Sequence, residues 1–241
     1  MPPCRVPADA GRNDSSKRGP APMNLTTRVN RRTAALLGAA AVGALLAPLA
    51  PGAQAAPAPA ARAPAVRAAA PGFLAPADLP PAPGTAWTGG RVTAGMPEWS
   101  PFCLEDVLPP KGGATWHRRF GTDLDTWAVQ VSVTAPGTAD ARRLAAAGER
   151  AVAGCAADWL RRTPGGTASW ADHGRLAVEE GAHVYGVHTS VPDADSGVHL
   201  VGVGRDGRTV TFVQWARMGD LTDAPVAAFE RTTAKAVGKL H

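Results

Sequence analysis

The chain has 241 residues, a formal net charge of +5, 45% hydrophobic residues, 23 prolines and three cysteines. Divided at residue 71, it separates into a first part of net charge +7 and a remainder of net charge −2. The basic balance therefore belongs to the leader, and the remainder, with no concentrated Lys/Arg run, has no electrostatic footprint for nucleic acid.

Residues 1–22 are polar and fit no targeting element. Met23 is a second candidate start, which would make 1–22 either an over-extended N-terminus or a longer charged front. From Met23 the text reads MNLTTRVNRRTAALLGAAAVGALLAPLAPGAQA. Arg28, Arg31 and Arg32 precede fourteen small or apolar residues, 34–47, and Ala53-Gln54-Ala55 supplies a cleavage site. This order predicts a secretory signal peptide over 23–55, cleaved after about Ala55. As a helix the apolar run would rise about 21 Å, short of the roughly 30 Å hydrocarbon core, so it does not read as a membrane span. The Arg31-Arg32 pair leaves the Sec and twin-arginine routes both open. Residues 56–72 are almost wholly Ala and Pro and predict a linker of partly extended character. One domain, 73–241, remains and is long enough to bury a core. The Ala, Gly, Arg and Pro bias, with no Asn after Asn30, points to a GC-rich, actinobacterial genome.

Within that domain, FLAPADLPPAP (73–83) predicts an extended segment or a short helical turn, and WSPFCLEDVLPP (99–110) a compact segment carrying Cys103. WAVQVSVT (127–134) alternates with period two and predicts a half-buried strand. Thr138 is a candidate N-cap for a helix running to about Arg162, stopped by Pro164-Gly165-Gly166. Leu144, Gly148, Val152, Cys155 and Trp159 share one face of it, which turns Cys155 toward the core. Strands are expected at 184–191, preceded by 175–179, and at 198–203 and 209–216. The last two flank Arg205-Asp206-Gly207-Arg208, a strong hairpin signal. A loop at Asp206-Gly207 would set Val203 against Val210 and Val201 against Phe212, with Leu200–Val213 and Val198–Trp215 on the other side. The closing stretch, with Thr222 or Asp223 as cap and Val226, Phe229, Ala236, Val237 and Leu240 at helical spacing, predicts a second helix. The order implies an α+β fold, a largely antiparallel sheet with two main helices packed on it.

Gly202-Val203-Gly204-Arg205-Asp206-Gly207 matches the dinucleotide G-x-G-x-x-G pattern, but a strand follows it where the phosphate site needs a helix N-terminus, so it reads as a turn. His183, His188 and His199 lack metal-ligand spacing, and His183 and His188 would face opposite sides of a strand. Asp193-Ala194-Asp195-Ser196-Gly197 resembles the start of a calcium loop without its later ligands. The carboxylates worth testing for acid–base work are Asp123 and Asp125 near His117, and Glu179-Glu180. No nucleophile elbow is present. Trp127, Trp159 and Trp215 lie on apolar faces; Trp87, Trp99, Trp116 and Trp170 sit in less regular text and are candidates for a sugar or lipid platform. No catalytic residue, metal ligand or cofactor is assigned. Cys103 and Cys155, an even pair in an exported domain, predict a disulfide.

The FLAPADLPPAPG opening, WSPFCLED, the alternating strand, the AGCAADW helix, the β-rich half and the terminal helix together resemble the PknH-like extracellular sensor domain of actinobacteria, here as a standalone secreted member. The resemblance implies an α+β fold with a central sheet, a cleft and the binding of an unidentified extracellular ligand; it offers no catalytic residue to carry over. The chain departs from the kinase-attached members in lacking a kinase domain and in having one cysteine pair where they have two. The leading expectation is a secreted, non-catalytic sensor-like domain binding an extracellular or cell-envelope ligand: a small molecule, a glycan or a lipid. The alternatives are a small secreted hydrolase acting on envelope material and a carbohydrate- or envelope-binding module. No nucleic-acid partner and no membrane span after signal cleavage are expected, and a monomer is.

Overall fold

Alternation of β-branched residues builds a sheet whose middle strands are apolar on both sides. A computed structural model describes residues 69–110, 113–194 and 196–241. The leader, its cut near Ala55 and the linker up to residue 68 lie outside the described residues. The strands are β1 (Thr88–Gly89), β2 (Thr93–Ala94), β3 (Ala114–Gly121), β4 (Trp127–Thr134), β5 (Thr167–Leu176), β6 (Ala182–Ser190), β7 (Ser196–Asp206) and β8 (Thr209–Met218). The helices are α1 (Thr138–Arg162) and α2 (Val226–Val237). All strand pairs are antiparallel, in the order β1-β3-β4-β8-β7-β6-β5, with β2 also on β3. The α+β architecture with two helices on an antiparallel sheet is as expected from the sequence. Among the described residues no helix is long and apolar enough to cross a membrane.

Helix α1 lies on one face of the sheet. Its buried Ala141, Leu144, Gly148, Val152 and Cys155 meet Val129, Val131, Val133, Val201, Val203, Val210 and Phe212 in one core. Helix α2 covers the other face, where Phe229 and Ala236 pack with Ala128, Val184, Val198, Leu200, Val213 and Trp215. The expected N-cap Thr138 is instead the first helical residue. Gly137 occupies the cap in extended backbone and no side chain closes it. Neither Thr222 nor Asp223 caps α2, whose cap position is Pro225.

The β7–β8 hairpin pairs Asp206 with Thr209, so its loop is Gly207-Arg208. The register therefore differs by two residues from the expected one: Val203 faces Phe212 and Leu200 faces Trp215. A shift of two preserves the sheet faces, so each apolar residue still reaches the core assigned to it. Gly207 has φ +55 while Arg208 does not have positive φ, which is the glycine-first pattern of a type II′ turn. The other two glycines of the nucleotide-like motif serve packing. A Cβ on Gly202 would stand 2.4 Å from Thr233 Oγ1, and one on Gly204 2.2 Å from Val237 Cγ2. Both are bare so that α2 can approach β7. Gly148 does the same for α1, since a Cβ there would meet Phe212 Cε1 at 2.4 Å.

Two helices leave part of each face uncovered, and irregular segments complete both. On the α1 face, Pro101 to Leu104 form a turn closed by Leu104 N–H on Pro101 O at 3.0 Å, with Cys103 at φ +70 in the left-handed position of a type II turn. Cys103 is bonded to Cys155 of α1, with a Cα separation of 5.4 Å. On this face Gln214 Oε1 accepts from Phe102 N–H at 3.0 Å. On the opposite face Gln130 Oε1 accepts from Leu74 N–H at 2.8 Å, while Arg118 Nη1 donates to Leu74 O at 2.7 Å. The same N-terminal segment carries a 3₁₀ turn, Pro76–Asp78. It is tied to α2 by Thr232 Oγ1 donating to Asp78 O at 2.6 Å, and to the residues just past that helix by the Lys239–Asp78 ion pair.

Removing the disulfide, as in a Cys103→Ala/Cys155→Ala chain, frees a loop of 52 residues and is expected to cost about 4 kcal/mol by the chain-entropy relation; urea denaturation of this variant beside the oxidised wild-type chain measures the difference. Gly204→Ala is expected to destabilise by about 1–3 kcal/mol, because the new methyl overpacks against α2; an unchanged denaturation midpoint would show that α2 does not sit against β7.

Candidate functional site

Strand β5 departs from regular pairing at one place. Asp172 pairs with Tyr185 and Gly174 with Val184, which leaves His173 as an inserted residue, with Gly174 at φ +94. This is a β-bulge, and it reverses the alternation of side chains beyond it. Trp170 and Asp172 before it and Arg175 after it consequently point to the same side, toward α1. Arg175 stands opposite His183 and Asp172 opposite Tyr185. Asp172 Oδ1 also accepts from Gly174 N–H at 2.8 Å, holding the bulge.

The groups so gathered form a connected network. His183 Nε2 lies 2.6 Å from Asp172 Oδ1, and Tyr185 OH lies 3.0 Å from His183 Nδ1. The neutral tautomer with its proton on Nε2 satisfies all three: histidine donates to the carboxylate and accepts from the phenol. The His183 and Tyr185 rings stack at 4.3 Å, and Trp170, 42% exposed, stacks on Tyr185 at 6.2 Å. From α1, Glu149 Oε2 accepts from Arg175 Nη2 at 3.1 Å and lies 3.8 Å from His183 Nδ1. The hydrogen bond from His183, reinforced by Gly174 N–H, lowers the pKa of Asp172.

Asp, His and a hydroxyl in sequence are also the parts of an activated nucleophile. Here the hydroxyl is a phenol on a residue only 4% exposed. Its pKa is pushed up to about 12 by burial and by the nearby charges of Glu149 and Asp172. It stays protonated and acts as a donor to His183. The network braces the β5–β6 pair against α1; it does not present a nucleophile.

Beside it opens a cleft of about 210 Å³ between α1 and the ends of β5, β6 and β7. Arg142, Ala145, Ala146 and Glu149 form its helical wall, at positions i, i+3, i+4 and i+7 of one stripe. The opposite wall brings Arg175, Glu180 and Arg205 together around Gly181, Val203 and Gly204. Arg205, its side chain 11% exposed, bridges to Glu180 Oε1 at 3.3 Å and donates to Gly207 O at 3.0 Å. Gly207 N–H donates to Glu180 Oε2 at 2.8 Å; that bond and the Arg205 charge lower the pKa of Glu180.

The carboxylates singled out in the sequence are dispersed. His117 lies within β3 opposite Val131, with Nδ1 2.9 Å from Gly95 O, whereas Asp123 and Asp125 lie in the turn between β3 and β4. Asp125 Oδ2 accepts from Met218 N–H at 3.1 Å. Glu180 reaches the cleft, and Glu179 sits in the turn before β6 at φ +44. The histidines have separate partners: His183 in the network above, His188 Nε2 on Ser196 Oγ at 2.7 Å, and His199 against Phe102 at 4.5 Å and Gln214 Nε2 at 3.3 Å. Among the described residues no group of three or more His, Cys, Asp or Glu could hold a metal ion. Asp195, in the calcium-like stretch, lies outside the described residues.

Two tryptophans set in irregular text are placed otherwise. Trp116 is in β3 and Trp170 in β5. Trp215 is core, while Trp127 and Trp159 are only partly buried. Trp127 meets Trp99 edge-to-face at 77°, not as a coplanar platform. The sequence predicts no part of strand β5 before residue 175 and so misses Asp172 and the role of Arg175, whereas Trp170, a platform candidate in the sequence, lies in the strand itself. An isolated glycine within an alternating stretch, Trp170-Ala171-Asp172-His173-Gly174, is the available signal for a bulge.

The chain is thus a disulfide-clamped α+β domain with a mixed-charge cleft beside a closed polar network. No family model and no curated protein matches it. Among solved structures it is similar to the extracellular domain of PknH from Mycobacterium tuberculosis, at 13% identity and a TM-score of 0.40, over 62% of this chain and 84% of that one.

Burial drives the pKa of His199 down to about 4, below its ordinary 6.5. The unfolded chain therefore binds this proton more readily between those values, and stability is expected to rise with pH through that window and level off above it, by about 3 kcal/mol in all. Urea denaturation at pH 4.5 and 7.5 of the wild-type chain and of His199→Gln tests this; an equal pH response in both would remove His199 as the cause.

Proposed function

We propose that the chain is an exported, non-catalytic sensor-like domain that binds an extracellular or cell-envelope ligand in the cleft between α1 and the ends of β5, β6 and β7. The observation that carries this reading is the cleft itself, where exposed guanidiniums and a carboxylate from separate elements converge beside small side chains. A Cys103–Cys155 disulfide suits an oxidising compartment, in keeping with the leader. The groups that would serve a hydrolase do not support that alternative, since His117 is held on Gly95 O while Asp125 holds Met218 N–H. One observation favours a second reading, a carbohydrate- or envelope-binding module: the indole of Trp170 is exposed beside Asp172.

Thermal melting of the full, oxidised chain and of an Arg142→Ala/Arg175→Ala chain, with envelope lipids, glycans and small metabolites, tests the proposal. A ligand at a hundredfold excess over its Kd stabilises by about 2.7 kcal/mol, a rise of roughly 5–10 °C for a domain of this size. The expected result is such a rise in the wild-type chain, absent from the variant, with no turnover in a hydrolase panel. Turnover without any shift in melting would overturn the proposal, and a shift retained by the variant but lost in Trp170→Ala would favour the module reading.

A further inference from the structure

The charges of the cleft are not equally available. Arg205 and Glu180 neutralise one another and are both engaged with Gly207, so they form the fixed back of the site. Arg142, Arg175 and Glu149 remain to meet a ligand. Among the described residues Arg142 makes no side-chain hydrogen bond or ion pair, and the Arg175 side chain is 70% exposed while bridged to Glu149. A guanidinium has five N–H donors, so Arg175 keeps capacity beyond the bond to Glu149.

The bridge between Arg175 and Glu149 spans 3.1 Å. It thus presents one positive and one negative group at close spacing, which complements a molecule carrying its own ammonium and carboxylate on neighbouring atoms. A plain cation would meet Arg142 and Arg175, and a compact dianion would meet Glu149. A molecule with both charges can exchange into the bridge and satisfy each partner. The cleft, about 210 Å³, is below the roughly 300–1,000 Å³ that holds drug-sized ligands. Between the walls, Ala145 and Ala146 on one side and Val203 on the other leave room for a short aliphatic group.

We infer that the cleft takes a small α-amino acid, with the ammonium on Glu149, the carboxylate on Arg175, and Arg142 adding the positive charge that draws the carboxylate in. This rests on the proposal that the cleft is the binding site. It places the ligand's polar end against the Asp172–His183–Tyr185 network, so occupancy replaces the Arg175–Glu149 link between β5 and α1 with a ligand-mediated one.

Isothermal titration of the full, oxidised chain with L-alanine, N-acetyl-L-alanine and L-alaninamide tests the inference. Binding of L-alanine is expected, weakened at least about tenfold when either charge of the ligand is removed, and likewise in Glu149→Gln and Arg175→Gln. Arg142→Ala, which removes an exposed side chain with no partner among the described residues, tests the same site with little risk to folding and is expected to weaken binding several-fold. Equal binding of L-alanine and its N-acetyl form would overturn the zwitterion assignment. So would absence of L-alanine binding at tens of millimolar. In either case a melting shift by another compound, abolished in Arg142→Ala/Arg175→Ala, leaves the cleft as the binding site. L-Alanine binding that all three cleft variants retain would overturn the site as well.

Discussion

A sheet whose central strands are apolar on both faces must be covered on both, and here two helices are too few to do it. Proline-rich, irregular segments complete the cover, and their backbone donors have no ladder to join. A buried N–H left without a partner costs about 1–3 kcal/mol, so each covering segment needs an acceptor delivered from the sheet. Gln130 supplies one to Leu74 on the α2 face, and Gln214 supplies one to Phe102 on the α1 face. Both glutamines are fully buried in adjacent strands, and their faces are opposite because Val129 pairs with Gln214 and Gln130 with Val213.

The Gln214 contact and the disulfide act one residue apart. Phe102 is held by hydrogen bond and Cys103 by covalent bond to α1, so the same short turn joins the sheet and the helix across one core. On the other face the N-terminal segment is secured by Gln130, Arg118, Thr232 of α2 and Lys239 just past its end, without a covalent link. The helices approach closely because Gly148, Gly202 and Gly204 carry no side chain at the contacts. The cleft is a consequence of the same geometry: α1 crosses the ends of β5, β6 and β7, and the small residues Ala145 and Ala146 leave a gap there that charged side chains line.

Some of this organisation was legible from periodicity. Leu144, Gly148, Val152 and Cys155 share a face in the sequence and are buried together, because helical geometry converts spacing directly into direction. The β7–β8 hairpin was legible in kind and in the faces of its residues, although its loop is shifted to Gly207-Arg208. A two-residue error leaves the side-chain parity unchanged, so the apolar pattern alone does not distinguish the two registers. Strand β5 was hidden for the opposite reason. It is an edge strand with exposed and charged residues, and its bulge at His173 breaks the parity on which strand recognition rests.

Local chemistry in the sequence was sufficient for the α+β class, the core face of α1 and the pairing of Cys103 with Cys155, since each depends on spacing along the chain or on counting. The candidate site depends on none of these. Glu149, Arg175 and His183 come from a helix and two strands, and they meet only because a bulge turns Arg175 to the α1 side and α1 crosses above it. Tertiary structure also decided the meaning of the glycine motif: Gly202 and Gly204 make room for α2 and Gly207 turns the chain. Spacing in sequence constrains direction within one element, whereas the meeting of charges from several elements is set by packing.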